Sequence, residues 1–138
     1  MSCEAGRAVC AAGAEMAEAF RILVVEDEAS VRDALTMILE DEGFKVVSTP
    51  CGAEGVRALR ADAFDLVITD LRLPDLSGLD VLSAVRFACG RGRAILISAH
   101  ATEEVCAEAR SRGAFGVLRK PFPPSEILRL VADALAAA

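Results

Sequence analysis

A chain of 138 residues with 54% apolar side chains is one domain's worth of sequence, excludes a disordered chain, and buries a core without metal or disulfide staples. Aromatic residues make up only 4% and are all Phe, so the core has to be aliphatic. A net charge of −6 disfavours nonspecific binding to nucleic acid, and charges break every apolar run before it reaches membrane-spanning length.

Residues 1–19 are rich in Ala and Gly and lack a hydrophobic period. They read as a poorly ordered tail ahead of a single domain over residues 20–138. The organised part opens with Ile22-Leu23-Val24-Val25, a continuous apolar run ending in Glu26-Asp27. A parallel strand buried on both faces has this pattern. Ser30 is placed to cap the next helix, with Asp33 in its first turn. Val31, Leu35, Ile38 and Leu39 fall at helical spacing, and Gly43 is expected to end that helix. Val46-Val47 is a second, shorter strand.

The alternation then repeats. Residues 52–61 predict a helix with Val56 and Leu59 inward, and residues 64–69 a strand running into Asp70. Residues 71–77, with Pro74 and Ser77, form a loop before a helix over 78–88 that carries Leu79, Leu82 and Val85. Residues 94–98 are a fourth strand. Thr102 caps a helix reaching about residue 112, with Val105 and Cys106 inward and Gly113 as its stop. Residues 115–118 are a fifth strand, followed by Arg119-Lys120-Pro121. The last helix starts at Pro123-Pro124 and presents Ile127, Leu128, Val131 and Leu135.

Strands and helices that alternate at these distances imply parallel strands with right-handed crossovers. The fold class is therefore α/β: a doubly wound, five-stranded parallel sheet with helices on both faces. An all-helical bundle or an antiparallel α+β domain fits the Val/Ile clusters less well, since β-branched residues favour strands. Five cysteines, Cys3, Cys10, Cys51, Cys89 and Cys106, contain no CxxC pair, and His100 is the single histidine. A zinc site is disfavoured, and reduced thiols in a cytoplasmic protein are the expectation.

In an open parallel sheet, ligands bind beyond the carboxyl ends of the strands. Glu26 and Asp27 follow the first strand, Asp70 the third, Ser98 ends the fourth, and Lys120 follows the fifth. Taken singly, a strand-end Asp is ordinarily a turn residue, a lone Ser a local hydrogen-bonding group, and a Lys before Pro solvated surface. Together they occupy one edge of one sheet. Three carboxylates brought together repel one another unless a cation sits among them. Hard oxygen ligands suit Mg²⁺, Lys120 can meet a phosphoryl oxygen, and Ser98 can donate to another. Acceptor, metal and charge clamp make a small phosphoryl-transfer site.

The same residues make the sequence resemble the receiver domain of bacterial response regulators. The matching stretches are residues 22–28, Val67-Ile68-Thr69-Asp70-Leu71-Arg72-Leu73-Pro74 with Gly78, Ile97-Ser98-Ala99, Gly113-Ala114 and Lys120-Pro121-Phe122. Together they run from about Arg21 to the end of the chain. The resemblance implies the flavodoxin-like (β/α)5 receiver fold, with Asp70 as phosphoacceptor. It further implies Asp27 as a direct Mg²⁺ ligand, Glu26 reaching the metal mainly through water, and the Arg72 carbonyl as a further ligand. Ser98 resembles the switch hydroxyl, Lys120 the phosphoryl-pairing lysine, and Pro121 a cis proline. Arg72 and Ala99 flank the phosphate in the family pattern. Val117 departs from it, because the family usually has Tyr or Phe there.

The implied partners are a sensor histidine kinase or phosphotransfer protein. A homodimer or downstream effector would meet the surface of the fourth helix, fifth strand and fifth helix, where Val105, Ala109 and Val117 are candidates for exposure and Leu128 reads as core. Nucleic acid and membrane are not expected as direct partners, nor is turnover of a free metabolite. The chief rival is a phosphorylation-independent interaction module on the same fold, for which Val117 is the best support. A hydrolase would need a spare catalytic dyad, and a nucleotide-binding domain a GxxxxGK[ST] or GxGxxG loop after the first strand; the sequence has neither.

Overall fold

The computed structural model describes residues 20–137. Five strands alternate with five helices: β1 (Arg21–Val25), α1 (Ala29–Asp41), β2 (Lys45–Thr49), α2 (Gly52–Ala61), β3 (Leu66–Asp70), α3 (Gly78–Cys89), β4 (Ala94–Ser98), α4 (Glu103–Ser111), β5 (Gly116–Arg119) and α5 (Pro124–Ala136). All strand pairs are parallel, in the order β2-β1-β3-β4-β5. The expected doubly wound sheet is therefore observed.

Alternate residues of each strand supply two aliphatic layers. Ile22, Val24, Ile68 and Ile95 face Leu35 and Leu39 of α1 and Ile127, Val131 and Ala134 of α5. Leu23, Val25, Val67 and Leu96 face Leu59 of α2, Val81, Leu82 and Val85 of α3 and Ala109 of α4. Burying an aliphatic side chain of this size is worth about 1.5–3 kcal/mol, so the two layers dominate the folding energy. Strand order reverses between β1 and β3, which opens a crevice at their carboxyl ends.

Several local expectations need correction. Ser30 does not cap α1: the N-cap is Glu28, without a side-chain cap bond, and Ser30 lies inside the first turn. The helix starts earlier because the Glu28 N–H is already held by the Glu26 carboxylate at 3.1 Å. β2 is longer than Val46-Val47, since its edge position is stabilised by backbone pairing with β1 rather than by apolar content. Ala109 is fully buried under β5 and so is not part of an exposed face, while Val105, Val117 and Leu128 are half-buried. Thr102 caps α4 as expected, accepting from the Val105 N–H at 3.1 Å. The predicted tail, with Cys3 and Cys10, lies outside the described residues. Cys51, Cys89 and Cys106 are free thiols, and burial pushes Cys89 above its usual value.

Candidate functional site

β1 delivers Glu26 and Asp27 to the crevice with opposite exposures. Glu26 is completely buried and its N–H donates to the Thr49 carbonyl at 3.0 Å, continuing the β1–β2 ladder past the end of the strand. Asp27 is exposed. β3 ends on Asp70, 7% exposed, and the following Leu71 N–H donates to the Ile97 carbonyl at 3.0 Å. Ser98 is buried at the end of β4, and its carbonyl accepts from the Lys120 N–H at 2.9 Å. Lys120, beyond β5, is thereby anchored beside β4, and its bond to Pro121 is cis.

The Lys120 side chain reaches across the crevice. Its Nζ lies 3.0 Å from Glu26 Oε1 and donates to Asp70 Oδ2 at 3.1 Å. Burial pulls Lys120 down, but the Glu26 and Asp70 carboxylates outweigh it and hold the ammonium above its usual value. Burial pushes Glu26 up, against the lowering contacts from Lys120 and the Glu28 N–H. Glu26 Oε2 accepts from the Glu28 N–H, whereas Oε1 has only the misaligned approach of Lys120 and no directed hydrogen bond. We read that contact as an ion pair whose direction leaves Oε1 able to face a second cation.

Carboxylate oxygens of Glu26, Asp27 and Asp70 lie within 4.8 Å of one another. Lys120 supplies one positive charge against these three, so the cluster remains short of cations. An all-oxygen donor set with an unsatisfied buried oxygen fits a hard divalent cation such as Mg²⁺.

The sequence-predicted residues Glu26, Asp27, Asp70 and Lys120 are thus brought together. Ser98 is adjacent, but its Oγ accepts from the His100 N–H at 2.9 Å within its own loop. Arg72 is exposed, two residues past Asp70, in an antiparallel bridge with Ser77. Val117 is half-buried against the α2–α4 layer.

Three residues around the site escaped the sequence reading of roles. Gly78 opens α3 directly behind Asp70, and a Cβ there would overlap the Asp70 carbonyl oxygen. Arg32 of α1 donates to the Glu26 carbonyl at 2.9 Å, an i+6 contact that helical periodicity does not reveal. Asp75, in the β3–α3 loop, accepts from the N–H groups of Gly52, Ala53 and Leu76. The one sequence signal for Asp75 is indirect: Cys51, just ahead of α2, is a poor capping residue.

A profile described as the response regulator receiver domain matches residues 22–132. The chain is 36% identical over 112 residues to the alginate biosynthesis transcriptional regulatory protein AlgB of Pseudomonas aeruginosa. That match covers 81% of this chain and 25% of AlgB. The chain spans roughly a quarter to a half of the curated relatives it matches most strongly. Among solved structures, a CheY-like receiver domain protein from Methanospirillum hungatei superposes with a TM-score of 0.81 at 28% identity, covering 86% of this chain and 94% of that one. A CheX-CheY complex with BeF3 and Mg from Borrelia burgdorferi gives a TM-score of 0.76 at 28% identity, covering 83% and 87%.

Proposed function

The chain belongs to the response regulator receiver domain family, and from that premise we propose that Asp70 accepts a phosphoryl group in a Mg²⁺-dependent reaction. The observation that carries this reading is the Asp70 carboxylate bonded to Lys120 at 3.1 Å, with the Glu26 and Asp27 carboxylates within 4.8 Å. The donor is a sensor histidine kinase or a phosphotransfer protein carrying phosphohistidine. An Asp70 oxygen attacks phosphorus in line. The new O–P bond forms as the P–N bond breaks, and the electron pair leaves with the donor imidazole, which is then protonated.

Glu26, Asp27 and Asp70, with the Arg72 carbonyl, are the residues that would hold Mg²⁺. When bound, the metal supplies Lewis-acid neutralisation of the phosphoryl oxygens. Lys120 gives a second, fixed positive charge on the Asp70 side of the crevice. Ser98 exchanges its bond to the His100 N–H for one to a phosphoryl oxygen, a local switch of one hydroxyl. The acyl phosphate is later hydrolysed by water, so the domain assists its own modification without turning over a free metabolite.

The switch would bias the face formed by α4, β5 and α5, where the half-buried Val105, Val117 and Leu128 are available to a downstream effector or a second copy of the chain. With Val117 in place of an aromatic ring, the output runs through backbone shifts or another residue rather than through rotation of a ring at this position. A histidine-kinase donor places the domain in the cytoplasm, and no helix among the described residues is long and apolar enough to cross a membrane.

The direct test is intact mass after incubation with Mg²⁺ and acetyl phosphate. One added phosphoryl group is expected on the wild type, lost on chelating Mg²⁺ and absent in Asp70→Asn. An adduct that persists in Asp70→Asn, or none in the wild type at short sampling times, would overturn the assignment.

A further inference from the structure

We propose that Asp75 is a positioning residue for the metal site, clamping the β3–α3 loop to α2 and so placing the Arg72 carbonyl beside the acidic cluster. This inference rests on the reading of Glu26, Asp27, Asp70 and Arg72 as the Mg²⁺ site.

The four groups come from two strand ends and one loop. Glu26 and Asp27 follow β1 and Asp70 ends β3, two paired strands in register at Val25 and Thr69, so the sheet fixes their spacing, whereas Arg72 lies in the loop after β3. That loop packs Leu71 and Leu73 against the α2–α4 side of the core. It is pinned at its base by the Gly78 N–H to the Leu71 carbonyl at 2.7 Å and by the Arg72–Ser77 bridge. Its residues 71–77 line a hollow of about 420 Å³ that is largely open to solvent. Its apex is held from outside by Asp75. Oδ1 accepts from Gly52 N–H and Leu76 N–H, and Oδ2 from Ala53 N–H, each at 2.9 Å.

These bonds serve α2 as much as the loop. Cys51 at its N-cap makes no side-chain cap bond, so Asp75 supplies from more than twenty residues away the acceptor that a local Ser or Asp would otherwise give. A carboxylate there also meets the positive end of the helix. The fit is close: a Cβ on Gly52 would come within 2.8 Å of the Leu76 side chain.

α2 in turn packs on the end of β1. Gly55 sits against Val25, where a Cβ would approach Val25 Cγ2 to 2.7 Å. Val25 immediately precedes Glu26. The chain of contacts therefore runs from Arg72 through Asp75 to α2, and through Gly55 and Val25 to Glu26. Shortening Asp75 frees the loop apex and leaves the three carboxylates in place, so the Arg72 carbonyl loses its preset position beside them. A residue that orients metal ligands without touching the metal typically changes affinity tenfold or more when removed.

The test is Mg²⁺ titration by calorimetry, with folding followed by urea unfolding, on wild type, Asp75→Ala, Asp75→Asn and the double variant Cys51→Ser/Asp75→Ala. Asp75→Ala is expected to bind Mg²⁺ about tenfold more weakly. Asp75→Asn, which keeps one acceptor oxygen, is expected to fall between it and the wild type. The double variant regains a local cap for α2, so it should recover stability and retain the weakened affinity. Full recovery of affinity in the double variant, or wild-type affinity in Asp75→Ala, would reduce Asp75 to a helix cap and overturn the inference alone. A wild type that binds no Mg²⁺ would overturn the site reading itself, and this inference with it.

Discussion

The two ends of the sheet handle charge in opposite ways. At the amino end of β1, Arg21 pairs with Asp62 at 3.3 Å with side chains 35% and 55% exposed, and its guanidinium lies 5.1 Å over the Phe64 ring. Its N–H donates to Asp65 at 2.8 Å, and Arg93 donates to the Asp65 carbonyl. These contacts fasten the approach to β3 while their charges stay hydrated. At the carboxyl end, Lys120 is 18% exposed and Glu26 not at all. Solvated pairs cost little and return little, at most about 1 kcal/mol. Dehydrated ones carry a penalty that aliphatic packing would avoid. A sheet whose other buried positions are uncharged, Val, Ile and Leu for the most part with Thr49, Thr69 and Ala94, therefore keeps charges at one end for chemistry.

The largest effect that could break this contrast is expected from Lys120→Met. It leaves Glu26 buried beside Asp70 with no cation and should cost about 3 kcal/mol in urea unfolding of the metal-free protein. Adding Glu26→Gln in the same background should restore most of that loss. A single variant as stable as the wild type would show that Lys120 does not neutralise Glu26. Gly78→Ala comes next. Its Cβ meets backbone rather than a flexible side chain, so the strain cannot be relieved by a rotamer change. A loss of about 2 kcal/mol is expected, together with slower phosphorylation by acetyl phosphate, because the displaced atom is the Asp70 carbonyl. At the other end, Arg21→Ala should cost less than about 1 kcal/mol, with part of that loss vanishing in high salt. A larger loss would mean that the two ends are not so different.

The same contrast governs what could be read without coordinates. β1, β3 and β4 announce themselves because both faces are buried and the run is uninterrupted, as in Ile22-Leu23-Val24-Val25. β2 is legible only as Val46-Val47, since the rest of that edge strand is polar and held by backbone pairing. Glu26, Asp27, Asp70 and Ser98 are legible because they follow or end such a run, and Lys120 because it stands just past the short fifth strand before Pro121, and the topology gathers strand ends. Ser30 misleads because a capping side chain inside the first turn of a helix looks like a cap when Glu28 has already taken that place. Arg32 and Asp75 stay hidden for a different reason: their partners are backbone atoms of other elements, which leave at most an indirect trace such as the poor cap Cys51.

Asp75 also gives the subtlest test of the contrast, because its carboxylate is exposed and yet bound by three N–H groups. Those bonds, the one from Ala53 foremost, hold its carboxyl below the usual value of 3.8. A depressed carboxylate contributes stability that is present above its unfolded pKa and is lost as pH falls through the folded pKa. The urea midpoints of wild type and Asp75→Asn should therefore differ by a constant amount from about pH 7 down to about pH 4, then converge in more acid solution as Asp75 is protonated. Charge rather than shape is then what Asp75 adds at the start of α2. A gap that persists unchanged into acid would assign its effect to the geometry of the acceptor oxygens. Asp75 would then resemble the buried carboxyl end, where position matters most, rather than the hydrated amino end that its exposure suggests.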